Sequence, residues 1–304
     1  MGTESFLKAT KYGLFYPFVS LFPLPTAYCL ARAWGRREAR RNPSITEAVR
    51  ANARLVLGAS ASPTMIRNLG EQFFAVRSYD ELDAFAVLTH SWRRLEKWIR
   101  IEGEENLLPL TRTRQGVLLL TFHVGGGSLI FPYLRSRGLV SHYLSISLPQ
   151  ARAMTDRIQY TFGWFRLWGI QHLAGHNIIF VGGSKDQIRQ VLRQGGIVVA
   201  LLDVVPDALH IKDIAEVSFF GRLARFPTGL LAVAAETDAA VVPFFGRVEE
   251  DLHRHLSFAE PQHIGPIGKS LDALVGLLEE YIRRYPQEWH FWPGLQYFYG
   301  QEGR

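Results

Sequence analysis

The chain has 304 residues, of which 47% are hydrophobic and 20% are charged, enough apolar side chains for one large core, so extensive disorder is excluded. Its formal net charge is +6, from 34 Lys and Arg against 28 Asp and Glu, a balance that suits contact with phosphate groups. The single cysteine, Cys29, excludes an internal disulfide, a cysteine metal cluster and dithiol redox chemistry.

The N-terminal region combines an apolar segment with a basic cluster. Residues 13–31 carry no charge and are long enough to cross a thin bilayer, but three prolines disfavour a continuous helix there. No cleavage signature typical of a secretory signal peptide follows. The basic cluster, of the kind attracted to anionic lipid headgroups, consists of Arg32, Arg36, Arg37, Arg40 and Arg41. We predict that residues 1–60 form a membrane-associating helical region; the alternative is short helices packed on the protein's own core.

Helices are predicted next. Ser44 and Glu47 have the spacing of a capping box and predict a helix over 44–57 that ends at Gly58. Aromatic and aliphatic residues at spacings of three and four predict two further helices between Thr64 and Arg100.

From about residue 115, short apolar runs alternate with amphipathic segments. The predicted strands are 116–122, 143–148, 197–203 and 240–245. The predicted helices are 128–137, 155–164, 184–194, 227–236 (opened by Pro227) and 271–285. This alternation predicts an α/β fold in which helices flank a mostly parallel central sheet, and we assign residues 61–304 to that domain.

Two polar residues directly follow apolar strands. His123 comes after the strand 116–122, and Asp203 ends the strand 197–203. Ligands of open α/β sheets bind beyond the carboxyl ends of the strands, so these two positions are candidate site residues. Behind His123, Gly125, Gly126 and Gly127 lead into a helix, where backbone NH groups could hold a phosphate or an oxyanion. The alternative is a core histidine ahead of an ordinary glycine turn.

Other chemistries fit the same segments poorly. A dinucleotide fingerprint would need a glycine where Ile130 stands, and the G-x-S-x-G elbow of serine hydrolases is absent. His172 and His176 are four residues apart, but Gly175 weakens a helix there and no H-E-x-x-H pattern accompanies them. We therefore expect neither a bound metal nor a cofactor.

Several further segments follow an order that is typical of one enzyme family. They are the proline-interrupted apolar start with its arginines, Ile101–Glu104, the glycine turn and strand Gly195–Asp203, Phe219–Gly229 with the later Val-Pro strand, and Pro286–Trp292. Together with His123 they resemble the late acyltransferases of lipid A synthesis, within the wider lysophospholipid acyltransferase superfamily. The resemblance covers most of the chain.

The resemblance implies an enzyme that transfers a fatty acyl group from a thioester on acyl carrier protein or coenzyme A. The acceptor would be a hydroxyl of a lipid or sugar, with no nucleic-acid partner. The protein would lie on the cytoplasmic face of the bacterial inner membrane, peripherally or anchored through its N-terminus. In the family pattern a histidine takes the acceptor's proton, and an Asp or Glu five positions later fixes its tautomer and stabilises the imidazolium. His123 matches that base.

Ser128 stands where the family pattern has its carboxylate. A serine can orient the ring but brings no charge, and loss of the charged partner costs a comparable triad about 10⁴ in rate. Asp203 could supply the carboxylate, with Asp207 and Glu216 as weaker candidates. Alternatively, the acceptor is an amine that needs less assistance, or the protein is an inactive homologue that binds lipid or acyl carrier. A Ser128 that only caps the next helix is compatible with each account.

Substrate contacts are also implied by the resemblance. Gly126 and Gly127 replace bulkier residues of the family's loop, which predicts extra room beside the base. Gly221 precedes Arg222 and Arg225, and we expect the two arginines to hold a phosphate of donor or acceptor, the alternative being solvated surface residues.

Overall fold

The computed structural model describes residues 3–58, 61–147, 151–152 and 155–299. The α-helices of these residues are α1 Thr3–Thr10, α2 Tyr16–Val19, α3 Leu24–Arg41, α4 Pro43–Leu57, α5 Pro63–Thr89, α6 Trp92–Leu95, α7 Leu108–Arg112, α8 Ile130–Ser136, α9 Arg157–Ala174, α10 Lys185–Arg193, α11 Gly229–Thr237 and α12 Ile267–Arg284. The strands are β1 Ile99–Glu102, β2 Val117–Thr121, β3 His142–Ser145, β4 Ile179–Phe180, β5 Ile197–Leu201, β6 Ile214–Phe219, β7 Arg222–Pro227, β8 Ala240–Val248 and β9 Arg254–Phe258.

A seven-stranded sheet with the order β1-β9-β8-β2-β5-β3-β4 forms the centre of the fold. All neighbouring pairs are parallel except β8 and β9. Strands β6 and β7 form a separate antiparallel hairpin. The strands β2 and β5 are almost entirely buried, as expected for parallel strands covered by helices on both faces. The predicted fold class is confirmed.

The observed element boundaries correct two sequence predictions. Helix α4 begins at Pro43, whose missing NH suits a first helical position, and its N-cap is Asn42; the predicted capping box of Ser44 and Glu47 is wrong. Pro227 does not open a helix but ends β7, because residues 222–227 pair with β6, and α11 starts at Gly229.

The N-terminal helices pack closely on the long helix α5. An added Cβ at Gly35 of α3 would lie 2.6 Å from the Phe74 carbonyl oxygen, so only glycine permits this approach. Tyr16, Leu24 and Tyr28 are fully buried in the same core as the sheet residue Val117.

The apolar N-terminal segment also has an outward side. Leu14, Phe18 and Leu21 are all more than half exposed. No helix within the described residues is both long and apolar enough to cross a membrane. The segment therefore divides its apolar residues between the core and the surface.

Candidate active site

His123 and Asp203 are brought together by the pairing of β2 with β5. The register places Thr121 opposite Leu201, so the two residues that follow each strand emerge side by side. Oδ1 of Asp203 lies 2.9 Å from Nδ1 of His123 and accepts a hydrogen bond of 2.7 Å from its backbone NH. The indole NH of Trp289 donates to Oδ2 of Asp203 at 3.0 Å. Both carboxylate oxygens are therefore engaged.

The environment of this pair fixes its orientation. The Asp203 side chain is completely buried, whereas the side chain of His123 is 33% exposed. The ring of Phe291 packs edge-on against the imidazole, with ring centres 4.5 Å apart. A carboxylate at Nδ1 holds the proton there, which leaves Nε2 as the basic nitrogen.

Two backbone NH groups of the glycine loop that follows His123 form hydrogen bonds within the protein. The NH of Gly125 donates to the carbonyl oxygen of Glu288 at 3.1 Å, and the NH of Gly126 donates to Oδ1 of Asp80 at 2.7 Å. These two NH groups are not available to a ligand, contrary to the expectation for the whole loop. The NH groups of Gly127 and Ser128 precede the first internal hydrogen bond of the short helix 127–129 and remain candidates.

Close contacts explain two of the three glycines in this loop. Gly126 has a φ of +77°, and a Cβ there would lie 3.1 Å from the Cα of Gly246 on β8. A Cβ on Gly125 would collide with Oε2 of Glu288. Of the three loop glycines, Gly127 is the one at which an added Cβ would meet nothing within 4 Å. The predicted extra room beside the base therefore exists at Gly127, while at Gly126 the backbone of β8 fills it.

A buried ionic cluster supports the loop, and sequence reasoning missed it. Asp80 lies 3.0 Å from Nη2 of the fully buried Arg254 and 2.9 Å from Nε2 of His290. Burial alone would raise the pKa of Asp80, but His290, Arg254 and the Gly126 NH lower it to about 2. Asp80 therefore stays ionised at neutral pH. Little in the sequence signals it, because α5 also carries Glu71, Arg77 and Glu81, and nothing local distinguishes Asp80 from them.

Two cavities meet at His123. The larger, of about 450 Å³, lies between the ends of β3 and β5 and the first residues of α10 and α11. Its lining is mainly aliphatic, with Lys185 and Lys212 among its few charged residues. The smaller, of about 70 Å³, has a mixed lining whose polar side chains include Asp80, Ser128, Arg166 and His290. Its aliphatic and aromatic wall shares Tyr143 and Leu201 with the larger cavity.

Ser128 does not act on the ring of His123 in this structure. Its hydroxyl accepts a hydrogen bond of 3.2 Å from Nη2 of Arg166, while the Nδ1 partner of His123 is Asp203. It is not a helix cap either: Ser128 lies inside the short helix 127–129, and the next helix, α8, has Leu129 at its N-cap and no side-chain capping bond. The predicted orienting role is not observed, although Ser128 and His123 line the same small cavity.

The remaining predicted residues lie on or near the hairpin of β6 and β7. Gly221 forms its turn, with a φ of +73°. Arg222 stacks over the ring of Tyr299 at 4.3 Å, and Arg225 pairs with Asp207 at 3.0 Å. None of these residues lines either cavity, and neither does Glu216, an exposed residue of β6. The geometry gives the hairpin arginines no contact with a ligand in the two cavities.

Comparison with known protein families gives a match over most of the chain. The sequence model of the family described as bacterial lipid A biosynthesis acyltransferase matches residues 10–293. No curated protein is similar enough to count as a relative. The family match includes both strands that carry His123 and Asp203, the glycine loop and Trp289. Because it spans most of the sequence, the chain belongs to the bacterial lipid A biosynthesis acyltransferase family.

Proposed function

We propose that the protein transfers a fatty acyl group from a thioester to a hydroxyl or amine of a lipid, sugar or related acceptor, with His123 as base and Asp203 as its carboxylate. The observation that carries the proposal is the 2.9 Å contact between Nδ1 of His123 and the fully buried Asp203. Asp203 thus has the position that a carboxylate needs in order to stabilise an imidazolium. A neutral serine at position 128 is therefore compatible with an active enzyme.

The reaction would run through Nε2 of His123. The acceptor's hydroxyl or amine gives its proton to Nε2 as it attacks the thioester carbonyl, and Asp203 stabilises the imidazolium that forms. The NH groups of Gly127 and Ser128 are the candidate donors to the oxyanion of the tetrahedral intermediate. When the C–S bond breaks, the imidazolium returns its proton to the leaving thiolate. The ring then regains its starting tautomer.

The larger cavity suits the acyl donor. Its wall of leucine, isoleucine and valine side chains fits a fatty acyl chain, and its volume is about 450 Å³. Lys185 and Lys212 provide positive charge for the phosphate of a phosphopantetheine arm, which acyl carrier protein and coenzyme A share. Lys185 is paired with Asp213 at 2.7 Å, so Lys212 is the stronger candidate.

We also propose that the protein works at the cytoplasmic face of the inner membrane. The exposed Leu14, Phe18 and Leu21 form an apolar surface that could enter the lipid interface. Arg36, Arg37 and the two arginines at the end of α3 provide charge for anionic headgroups.

The activity can be tested by thiol release. Purified protein is incubated with acyl-coenzyme A or acyl carrier protein, with and without lipid and amine acceptors, and free thiol is measured. Acceptor-dependent release should fall about 10² to 10⁴-fold in His123→Ala, the range for loss of a general base. The control is His263→Ala, which removes an exposed imidazole. Equal turnover in His123→Ala contradicts the assigned role, and donor binding without turnover in the wild type would favour an inactive binding homologue.

A further inference from the structure

Arg166 is a cation beside the proposed base, and no carboxylate among the described residues forms an ion pair with it. It lies on α9 and reaches the small cavity that His123 and Ser128 also line. Its Nη2 donates to the Ser128 hydroxyl, and its Nε is buried without a hydrogen-bond partner among the described residues. The carboxylate in the described lining of this cavity is that of Asp80, which is already held by Arg254 and His290.

The Arg166 side chain is half-buried, and its buried part favours a bound anion. Arginine does not lose its proton in proteins, so the charge of Arg166 cannot be removed by a pKa shift. Withdrawing a charge from water is costly unless an opposite charge or several hydrogen bonds replace the solvent. The planar fork of a guanidinium matches the oxygens of a phosphate or carboxylate in pairs. The cavity therefore has the chemistry of an anion site.

Ser128 keeps this charge available. An Asp or Glu at position 128 would stand within reach of Nη2 of Arg166, which the serine hydroxyl approaches at 3.2 Å, and would neutralise it. The serine hydroxyl accepts a hydrogen bond from Arg166 without neutralising its charge. It can also donate its own proton to an oxygen of a bound anion. The two side chains together offer an anion one cation and one neutral donor.

We propose that Arg166 and Ser128 bind an anionic group of the acyl acceptor, a phosphate or a carboxylate, and thereby hold its nucleophile near Nε2 of His123. This inference rests on the proposed acyl transfer. The arrangement separates the substrates: the apolar donor chain occupies the larger cavity and the acceptor's charged group the smaller one, with His123 lining both. The acceptor class is then a lipid whose hydroxyl or amine lies a few bonds from a negative charge.

Matched acceptors test the proposal. One pair is 1-lauroylglycerol 3-phosphate and 1-lauroylglycerol; the other is a 3-hydroxy fatty acid and its amide. In Arg166→Gln, kcat/KM for the anionic member should fall about 10- to 100-fold, the loss expected for a charged hydrogen bond, and the neutral member should change little. If kcat/KM falls for the phosphate acceptor alone, the bound anion is a phosphate; if it falls for the carboxylate acceptor alone, the bound anion is a carboxylate.

Ser128→Asp provides an independent variant, because its carboxylate should occupy Arg166 and reduce use of the anionic acceptor in the same way. The matched control is Arg157→Gln, which removes an exposed arginine from the same helix. Equal loss with anionic and neutral acceptors in Arg166→Gln would overturn the proposal, since it would place Arg166 at the thioester oxyanion or in the scaffold.

Binding measured without a thioester separates this inference from the proposed reaction. The wild type should bind 1-lauroylglycerol 3-phosphate more tightly than 1-lauroylglycerol by calorimetry, and Arg166→Gln should abolish the difference. If the wild type shows this preference but no turnover, the subsite is supported and the proposed activity fails. If turnover occurs without any preference for the anion, the subsite is refuted and the activity stands.

Discussion

Nδ1 of His123 lies 2.9 Å from Oδ1 of Asp203, although the two residues are 80 positions apart in the chain. The contact follows from the parallel pairing of β2 with β5, which ends both strands at the same edge of the sheet. A carboxylate from the neighbouring strand thus occupies the place expected of a residue five positions after the histidine. Ser128, which stands five positions after His123, contacts Arg166 instead.

Trp289 should position the Asp203 carboxylate. Its fully buried indole donates to Oδ2 at 3.0 Å, and its ring packs against Trp292 and Phe298. Trp289→Phe keeps most of the ring and removes the donor, so kcat for thiol release should fall about 10-fold, as for a lost hydrogen bond to a charged group. Trp164→Phe, at an exposed position of α9, is the control. A folded Trp289→Phe with wild-type kcat would show that this bond does not orient Asp203.

Glu288 should make stability depend on pH. Burial raises the pKa of Glu288 to about 8; the Arg254 guanidinium opposes this shift and the Asp80 carboxylate adds to it. Unfolded glutamates ionise near pH 4.3, so between that pH and about 8 the folded state holds a proton that the unfolded state lacks. The contribution to the free energy of unfolding is therefore full below this window and is lost as pH rises through it, at up to about 1.4 kcal/mol per pH unit.

The matched test is Glu288→Gln, which imitates the protonated side chain. Urea unfolding at pH 6.5 and 8 should show a smaller fall in the free energy of unfolding for this variant than for the wild type. The control is Glu280→Gln at an exposed position of α12, which should keep the wild-type fall. An unchanged pH dependence in Glu288→Gln would mean that Glu288 is already ionised at pH 6.5.

The basic end of α3 should promote membrane binding. Changing Arg36, Arg37, Arg40 and Arg41 to Gln should weaken binding to anionic liposomes at least 10-fold at low salt, since each basic residue near such a surface contributes about 1 kcal/mol. The difference should shrink as salt is added. The control changes four exposed arginines elsewhere: Arg93, Arg94, Arg112 and Arg193. Equal weakening in both variants would show that only net charge matters.

Much of the fold could be predicted from local pattern. Strands β2 and β5 are continuous apolar runs bounded by glycine and polar residues. Both the burial of these strands and the polar residues that follow them could therefore be predicted from the sequence. Helix α9 extends to Ala174, ten residues past the predicted end at 164. The prediction stopped short because apolar residues lie around most of the helix and two glycines interrupt it, so no helical period is visible in the sequence. Strand β8 continues to Val248 because it pairs with β9, a contact that depends on distant residues.

The site was predictable in part. Its location and the candidacy of Asp203 followed from residues placed after buried strands. The choice between Asp203 and its alternatives required the register of β2 against β5. Asp80, Arg166 and Trp289 reach the site from helix α5, helix α9 and the C-terminal segment, and no local spacing relates those segments to His123.

A double-mutant cycle on thiol release tests the central claim most directly. kcat is measured for the wild type, His123→Ala, Asp203→Asn and the double variant, with Asp272→Asn on the exposed side of α12 as control. If Asp203 acts through the imidazole, Asp203→Asn alone should cost up to about 10⁴, and the double variant should be no slower than His123→Ala. Near wild-type activity in Asp203→Asn, or losses that multiply in the double variant, would contradict a His123–Asp203 pair that works as one unit.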